Sequence, residues 1–211
     1  MSFEIDFQKR LRSSISIAWQ IFQQKSSNEL IAINKEASMQ LNYAYILQSL
    51  IPLITFDKSE NISIELEKSV NIDNKQTCEI DLLLTGRKEK KEYRIAVEMK
   101  CYREFASSGG KRGATDIFMK DVYADIEILE KYIENNHCQD KVFLAMNDLD
   151  RLVNPKDTSA KCWDYNISQN FIIDGPKNIQ TPIGGKPQNI TINGKYRFNW
   201  VQLRKYYYLE I

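Results

Sequence analysis

Two neighbouring segments of the chain, residues 78–84 and 95–100, alternate like β-strands and carry ionisable side chains. In the first segment Asp81 shares a face with Glu79, because successive side chains of a strand point to opposite faces. The other face carries Ile80, Leu82 and Leu84. In the second segment Glu98 and Lys100 share one face. If the two strands pair as a hairpin, Asp81 and Glu98 converge at one edge with Lys100 beside them. The spacing therefore predicts a cluster of two carboxylates and one ammonium group.

Two converging carboxylates suit a hard divalent cation, since Mg²⁺ prefers oxygen ligands and keeps waters that remain open to a phosphate. Such an ion stabilises charge on phosphorus and lowers the pKa of a bound water, which a nearby lysine can orient. The chemistry indicated is phosphodiester hydrolysis. It needs no His, Cys or Ser nucleophile, and the only histidine, His137, lies in a polar segment.

Composition is typical of one globular domain: 211 residues, 43% hydrophobic, with a formal net charge of +1. Near-neutrality gives no bulk electrostatic argument for nucleic acid, so binding must depend on where the charges lie. The four cysteines form no Cys-x-x-Cys pair, which disfavours a zinc ribbon. No signal peptide or membrane segment is predicted, and we expect a cytoplasmic protein with reduced thiols.

The first fifty residues lack glycine and proline and are expected to be helical. Apolar residues from Leu30 recur every three or four positions and predict a helix that Pro52 ends. Ser26 and Glu29 fit a capping box at its start. Three strands should follow, then a second amphipathic helix and a strand. The three strands are predicted at residues 62–67, 78–84 and 93–100. The helix is predicted around residues 118–133 and the last strand at 142–146.

The C-terminal part is less regular, with strand candidates at residues 189–192 and 196–211. The apolar alternation of the second candidate changes phase near Trp200, which predicts a bulge or bend there. Residues 87–91 are expected to form a solvated hairpin turn.

Asp81, followed by Glu98-Met99-Lys100 on the next strand, resembles the PD-(D/E)XK motif of restriction endonuclease-like nucleases. Ile80 stands where the motif name has Pro. The resemblance implies an α/β fold with a restriction endonuclease-like core, in the order helix, three-stranded meander, helix and strand, over about residues 27–147. An irregular β-containing extension, about residues 148–211, would serve recognition or dimerisation. The resemblance also implies that Asp81, Glu98 and the backbone carbonyl of Met99 hold Mg²⁺, and that Lys100 serves the attacking water.

In that family an acidic residue on the helix before the sheet often completes the site. Glu36 is the candidate here, against the alternative of an exposed surface residue, whereas Glu29 already has a capping role. Glu79 shares the face of Asp81 and is expected to support the metal ligands or to form an ion pair at the rim, with direct metal binding as the alternative. The alternative for Asp81, Glu98 and Lys100 is a cross-strand salt bridge on a solvated sheet face.

Nucleic-acid contacts are predicted from a local excess of basic residues between positions 100 and 120. Lys111-Arg112, in a glycine-rich loop before a helix, could clamp a phosphate, or the loop could simply be solvated. Arg103 and Lys120 are further candidates, although Lys120 could instead pair with Asp116 one turn earlier.

The sequence therefore predicts a Mg²⁺-dependent endonuclease that hydrolyses DNA, with Mn²⁺ as a substitute metal, in defence or DNA processing. We expect a homodimer, no membrane association and no nucleotide cofactor. The alternative is a catalytically inactive protein of the same fold that binds nucleic acid or a protein partner.

Overall fold

The computed structural model describes residues 6–72 and 76–211. The single domain predicted over residues 1–211 therefore includes two short stretches, 1–5 and 73–75, that lie outside the described residues. The helices are α1 (Phe7–Ser27), α2 (Glu36–Ile54), α3 (Thr115–Glu134) and the short α4 (Asp150–Val153), with a 3₁₀ turn at Lys161–Tyr165. The long strands are β1 (Glu60–Ile72), β2 (Gln76–Lys88), β3 (Lys91–Cys101) and β4 (Asp140–Asn147). The C-terminal strands are β5 (Ile172–Asp174), β6 (Lys177–Ile179), β7 (Ile190–Ile192), β8 (Lys195–Arg197), β9 (Val201–Leu203) and β10 (Tyr206–Glu210).

The central feature is a six-stranded mixed sheet in the order β1-β2-β3-β4-β10-β9. β3 and β4 are parallel and α3 connects them, whereas the other neighbours are antiparallel. The predicted α/β class is confirmed. The three-stranded meander is present, and its second turn lies at Glu89-Lys90 between the paired residues Lys88 and Lys91.

Helices cover both faces of this sheet. α1 and α2 pack on one face, where Leu84, Val97 and Met99 join their apolar cluster. α3 packs on the other face together with the C-terminal extension, where the cluster includes Leu83 and Ala96. The central strands of the sheet are therefore covered on both faces.

The predicted start of the first helix is wrong. A separate helix, α1, ends at Ser27, and α2 begins only at Glu36. Ser26 does not cap a helix: its hydroxyl donates to the carbonyl of Phe22 and contacts the Tyr208 hydroxyl at 2.8 Å. Glu29 lies in the turn between the helices with a φ of 59° and forms a 2.8 Å ion pair with Lys205. Ser26 lies in the last turn of α1, where its hydroxyl is used by the carbonyl one turn earlier and not by a following helix.

The buried face of α2 also differs from the face predicted by the apolar spacing, which included Leu41 and Leu47. Met39, Tyr43 and Leu47 are fully buried, whereas Leu41 is 65% exposed. Pro52 lies inside the last turn, and the helix continues to Ile54. The periodicity indicates a helix, but this helix is uncharged after Glu36, so no charged face fixes its rotation.

The predicted continuous strand over residues 196–211 is three strands. β8 pairs with β5, while β9 and β10 extend the central sheet beside β4. Trp200 ends the alternation because its backbone N–H donates to Gln169 and its indole N–H donates to the carbonyl of Ile167, both at 2.7 Å. The extension therefore completes the core sheet, beyond the limit of residue 147 predicted for the core.

A buried carboxylate, Glu130 on α3, holds part of this extension. It accepts hydrogen bonds from the backbone N–H groups of Asn193 (2.8 Å) and Gly194 (2.7 Å) and from the Tyr196 hydroxyl (2.7 Å). Only 7% of Glu130 is exposed. Because both N–H groups lie in the turn between β7 and β8, one side chain fixes that turn against α3.

Replacing Glu130 with alanine is expected to lower the free energy of unfolding by about 2–4 kcal/mol, since hydrogen bonds to a charged group contribute about 1.5–3 kcal/mol. Glu134→Ala, one turn later on an exposed position of α3, is the matched control and should change it by less than about 0.5 kcal/mol. Urea unfolding measures both. Equal effects of the two substitutions would contradict the anchoring role.

None of the helices in the described part of the chain is both long enough and apolar enough to cross a membrane.

Candidate active site

The ladder between β2 and β3 ends where the predicted acidic residues begin. Main-chain pairing stops at Leu82 and Val97, and beyond it the Asp81 carboxylate accepts the backbone N–H of Met99 at 2.7 Å. β1 is also irregular here, because Glu67 has a φ of 50° and is missing from the pairing with β2. Asp81 therefore lies at a bend where two strands separate.

The bend changes which way β2 faces. Leu82 packs with α1 and α2, whereas Ile80 packs with the cluster on α3. The prediction that Ile80 and Leu82 share a face is thus wrong. Strict alternation fails because the hairpin bends at Asp81, which the sequence pattern did not show.

Asp81 and Glu98 are brought together as predicted, and their carboxyl groups are hydrogen-bonded to each other. Glu98 is only 5% exposed. Burial, reinforced by the neighbouring Asp81 and Asp125 carboxylates, raises the pKa of Glu98 well above its usual range. Burial also raises the pKa of Asp81, although the Met99 N–H opposes this. Burial and the neighbouring carboxyl group therefore both disfavour a doubly ionised pair.

One oxygen of this pair has no partner. Glu98 Oε1 is buried and accepts no hydrogen bond from the described residues. A buried carboxylate oxygen without a partner costs free energy, and a second carboxylate beside it adds repulsion. A bound divalent cation would offset both, so these residues fit one.

The main chain adds a further oxygen on the same side. Since the Met99 N–H points towards Asp81, the carbonyl of Met99 points to that side of β3 as well. In the described part of the chain, no three His, Cys, Asp or Glu side chains are arranged to hold a metal ion. Two carboxylates and one carbonyl agree with Mg²⁺, which commonly uses one or two protein carboxylates and completes its shell with water or phosphate.

Lys100 lies beside this pair but is held by two other acids. Its Nζ is 3.0 Å from Asp125 Oδ2 and 3.4 Å from Glu36 Oε2. Burial disfavours the charged ammonium, but these two carboxylates outweigh it and raise the pKa of Lys100. Lys100 is therefore a permanent cation and hydrogen-bond donor at neutral pH.

Glu36 is the first residue of α2, not a mid-helix residue as predicted. Its carboxylate also lies 3.4 Å from the backbone N of Cys101. Burial raises its pKa, opposed by Lys100. Because α2 starts late, Glu36 reaches the end of β3 from the helix terminus.

Asp125 on α3 is a site residue that the sequence reasoning missed. It is largely buried, which raises its pKa to about 7 in spite of the neighbouring ammonium. A signal was present: Phe118, Val122, Asp125 and Leu129 follow a four-three-four spacing along one helix face. Asp125 thus occupies a core position of α3 that faces Glu98 and Lys100 of β3. An acid at such a position indicates a functional or paired carboxylate.

Glu79 does not join the central pair. It is exposed and lines a cavity of about 290 Å³ between β2 and α3, together with Glu98, Asp125 and Tyr132. Within the described chain no ion pair of Glu79 is formed, so the predicted rim ion pair is absent there.

The four predicted nucleic-acid residues have different environments. Arg103 is mostly buried: its Nε donates to Asp148 at 2.8 Å, it donates to the Ile33 carbonyl, and it stacks on Tyr206. These contacts give Arg103 a structural role. Lys120 pairs with Asp121 at 2.6 Å, so the predicted alternative of pairing with Asp116 is wrong.

Lys111 and Arg112 are more accessible. The Lys111 side chain is 71% exposed and pairs with Glu104, and Arg112 donates to the Asn34 carbonyl at 3.0 Å. With Arg151 they line a cavity of about 560 Å³ next to the start of α3. The loop and α4 together therefore offer three cations beside the end of β3, where the candidate site lies.

Comparison of the chain with protein-family models, with curated proteins and with solved structures found no match. What the site can do must therefore be argued from its own geometry.

Proposed function

We propose that the protein is a Mg²⁺-dependent endonuclease that hydrolyses phosphodiester bonds of DNA on a restriction endonuclease-like core. The observation that carries the proposal is the buried Asp81–Glu98 pair, with one oxygen unpartnered and the Lys100 ammonium beside it. The element order supports it: α2, the meander β1 to β3, then α3 and the parallel strand β4. The expectation of a PD-(D/E)XK motif rests on the same residues.

In this mechanism Asp81, Glu98 and the carbonyl of Met99 would hold the cation. When bound, Mg²⁺ lowers the pKa of a coordinated water and stabilises negative charge on phosphorus. Lys100 donates a hydrogen bond to the attacking water or to a phosphate oxygen, because its acidic neighbours keep it protonated. Glu36 orients Lys100 from the α2 side.

The test is cleavage of supercoiled plasmid by the purified full chain with Mg²⁺, with Mn²⁺ and with EDTA. We expect nicked or linear DNA with either metal and none with EDTA. Single-stranded and branched DNA serve as further substrates. No cleavage of any substrate, together with DNA or protein binding, would favour the alternative of an inactive member of this fold.

The accessible cations on the loop before α3 are proposed to contact the DNA backbone. Replacing both Lys111 and Arg112 with alanine should weaken binding of duplex DNA at least tenfold at low salt. It should also lower the slope of log K against log salt by about 1–2, since each phosphate contact contributes about 0.9. Fluorescence anisotropy measures both quantities.

Lys58→Ala is the matched control. Lys58 is exposed and follows the C-terminal end of α2, whereas Glu36 is at the N-terminal end. An unchanged salt slope in the double variant would contradict the contact. The homodimer stays a prediction, and light scattering of the protein in solution measures it.

A further inference from the structure

We infer that Asp125 is a positioning residue that draws the Lys100 ammonium away from Asp81 and Glu98 and so keeps their shared cation site open; this rests on the proposed function. Asp125 lies on α3, across the sheet face from β3, and reaches Lys100 Nζ at 3.0 Å. Asp125 is not one of the PD-(D/E)XK motif residues.

The need for such a residue follows from the position of Lys100. Lys100 and Glu98 share a face of β3, two residues apart. Asp81 lies close enough to raise the pKa of Lys100. A lysine ammonium is a point charge on a flexible four-carbon chain, so it would pair with two neighbouring buried carboxylates if nothing else held it. In that position it would compete directly with a divalent cation.

The observed contacts show the opposite arrangement. Among the described residues, Lys100 forms ion pairs with Asp125 and Glu36, and neither Asp81 nor Glu98 lies within 4.0 Å of its Nζ. Asp125 is the closer partner, and its side chain is less exposed than that of Glu36, 17% against 40%. A less exposed ion pair is less screened by solvent, so Asp125 is the closer and less screened of the two partners of Lys100.

The arrangement also accounts for the unpartnered oxygen of Glu98. Lys100 is the cation closest in sequence on that face, yet Glu98 Oε1 remains without a partner. The fold thus leaves a buried carboxyl oxygen unpaired while a neighbouring ammonium is held elsewhere. Asp125 is the side chain whose position produces this separation.

The test is binding of Mn²⁺ and Mg²⁺, measured by isothermal titration calorimetry on the full chain without DNA. Asp125→Asn keeps the shape of the side chain and removes its charge. We expect this variant to bind both metals at least tenfold more weakly than the wild type, because the released Lys100 occupies the site. The double variant Asp125→Asn/Lys100→Met should recover wild-type affinity or exceed it, although it should not cleave DNA.

Recovery by the second substitution separates positioning from folding, because a variant that fails to fold gains nothing from losing Lys100. Asp121→Asn, one turn earlier on α3 and paired with Lys120, is the matched control and should bind metal as the wild type does.

Wild-type affinity in Asp125→Asn would overturn the inference, and so would a double variant as weak as the single one. Wild-type protein that binds neither metal would instead overturn the proposed function, and the inference with it.

Discussion

Replacing Asp81 with asparagine is expected to reduce Mg²⁺-dependent DNA cleavage by about 10³-fold or more. Asparagine still accepts the Met99 N–H but removes one of the two carboxylates that hold the cation. Stabilisation by a metal amounts to several kcal/mol, and each 1.4 kcal/mol corresponds to about tenfold in rate. Lys100→Met should cause a comparable loss by removing the donor beside the site. Initial rates of plasmid nicking measure both.

The same substitution should make the metal-free protein no less stable. Asp81 and Glu98 are like groups buried in contact, and burial and mutual repulsion raise the pKa of Glu98. Removing one carboxyl group relieves that repulsion. We expect the melting temperature of Asp81→Asn without metal to equal or exceed that of the wild type, and Mg²⁺ to raise it in the wild type alone.

Glu92→Gln is the matched control, because Glu92 lies on β3 near its opposite end, in exposed ion pairs with Arg87 and Arg94. It should cleave at the wild-type rate. Undiminished cleavage by both Asp81→Asn and Lys100→Met would contradict the assignment of the site.

Replacing Glu60 with glutamine is expected to destabilise the fold by about 3–5 kcal/mol, as expected when a buried ion pair loses one partner. Glu60 Oε1 lies 2.6 Å from the Arg10 guanidinium, and its side chain is 1% exposed. Glu60 also accepts the Phe56 N–H at 2.9 Å, and Arg10 stacks on the Phe56 ring. The pair therefore fastens α1 to the turn that enters β1.

The same pair predicts a loss of stability in acid. Hydrogen bonding to Arg10 lowers the pKa of Glu60 to about 2. The folded state thus binds this proton less readily than the unfolded chain, whose glutamate pKa is about 4.3. The contribution of Glu60, about 3 kcal/mol, is fully present above pH 5 and is lost as the pH falls towards 2.

Urea unfolding at several pH values measures both effects, and Glu65→Gln is the control. Glu65 pairs with Lys68 on the same strand, but both side chains are 44% exposed, so its loss should cost less than about 1 kcal/mol. A second variant, Arg10→Met/Glu60→Leu, should recover most of the lost stability because neither charge remains buried alone. Equal costs for Glu60→Gln and Glu65→Gln would contradict the buried pair.

The sequence predicted the meander and the convergence of Asp81 with Glu98 because both follow from local alternation and a short turn. It missed the bend at Asp81, which arises where Glu67 and Asp81 leave the β1–β2 ladder and depends on how two strands meet. It missed Asp125 because periodicity assigns only the apolar residues of the α3 stripe to the buried face, and Asp125 is an acid within that stripe. The late start of α2 coincides with a capping contact in which the Ser38 hydroxyl accepts the backbone N–H of Lys35, and the pattern over residues 26–36 does not include Ser38.

The position of β10 has a consequence for biosynthesis. Strand β4 is covered on one side by β3, but its other edge is covered by residues 206–210, about sixty residues later in the chain. A growing polypeptide that has emerged only as far as residue 147 therefore exposes a central, apolar strand edge, the kind that pairs with other chains. Until β10 emerges, this edge is a site for chaperone binding or aggregation, and a chain truncated before residue 206 is expected to accumulate in inclusion bodies.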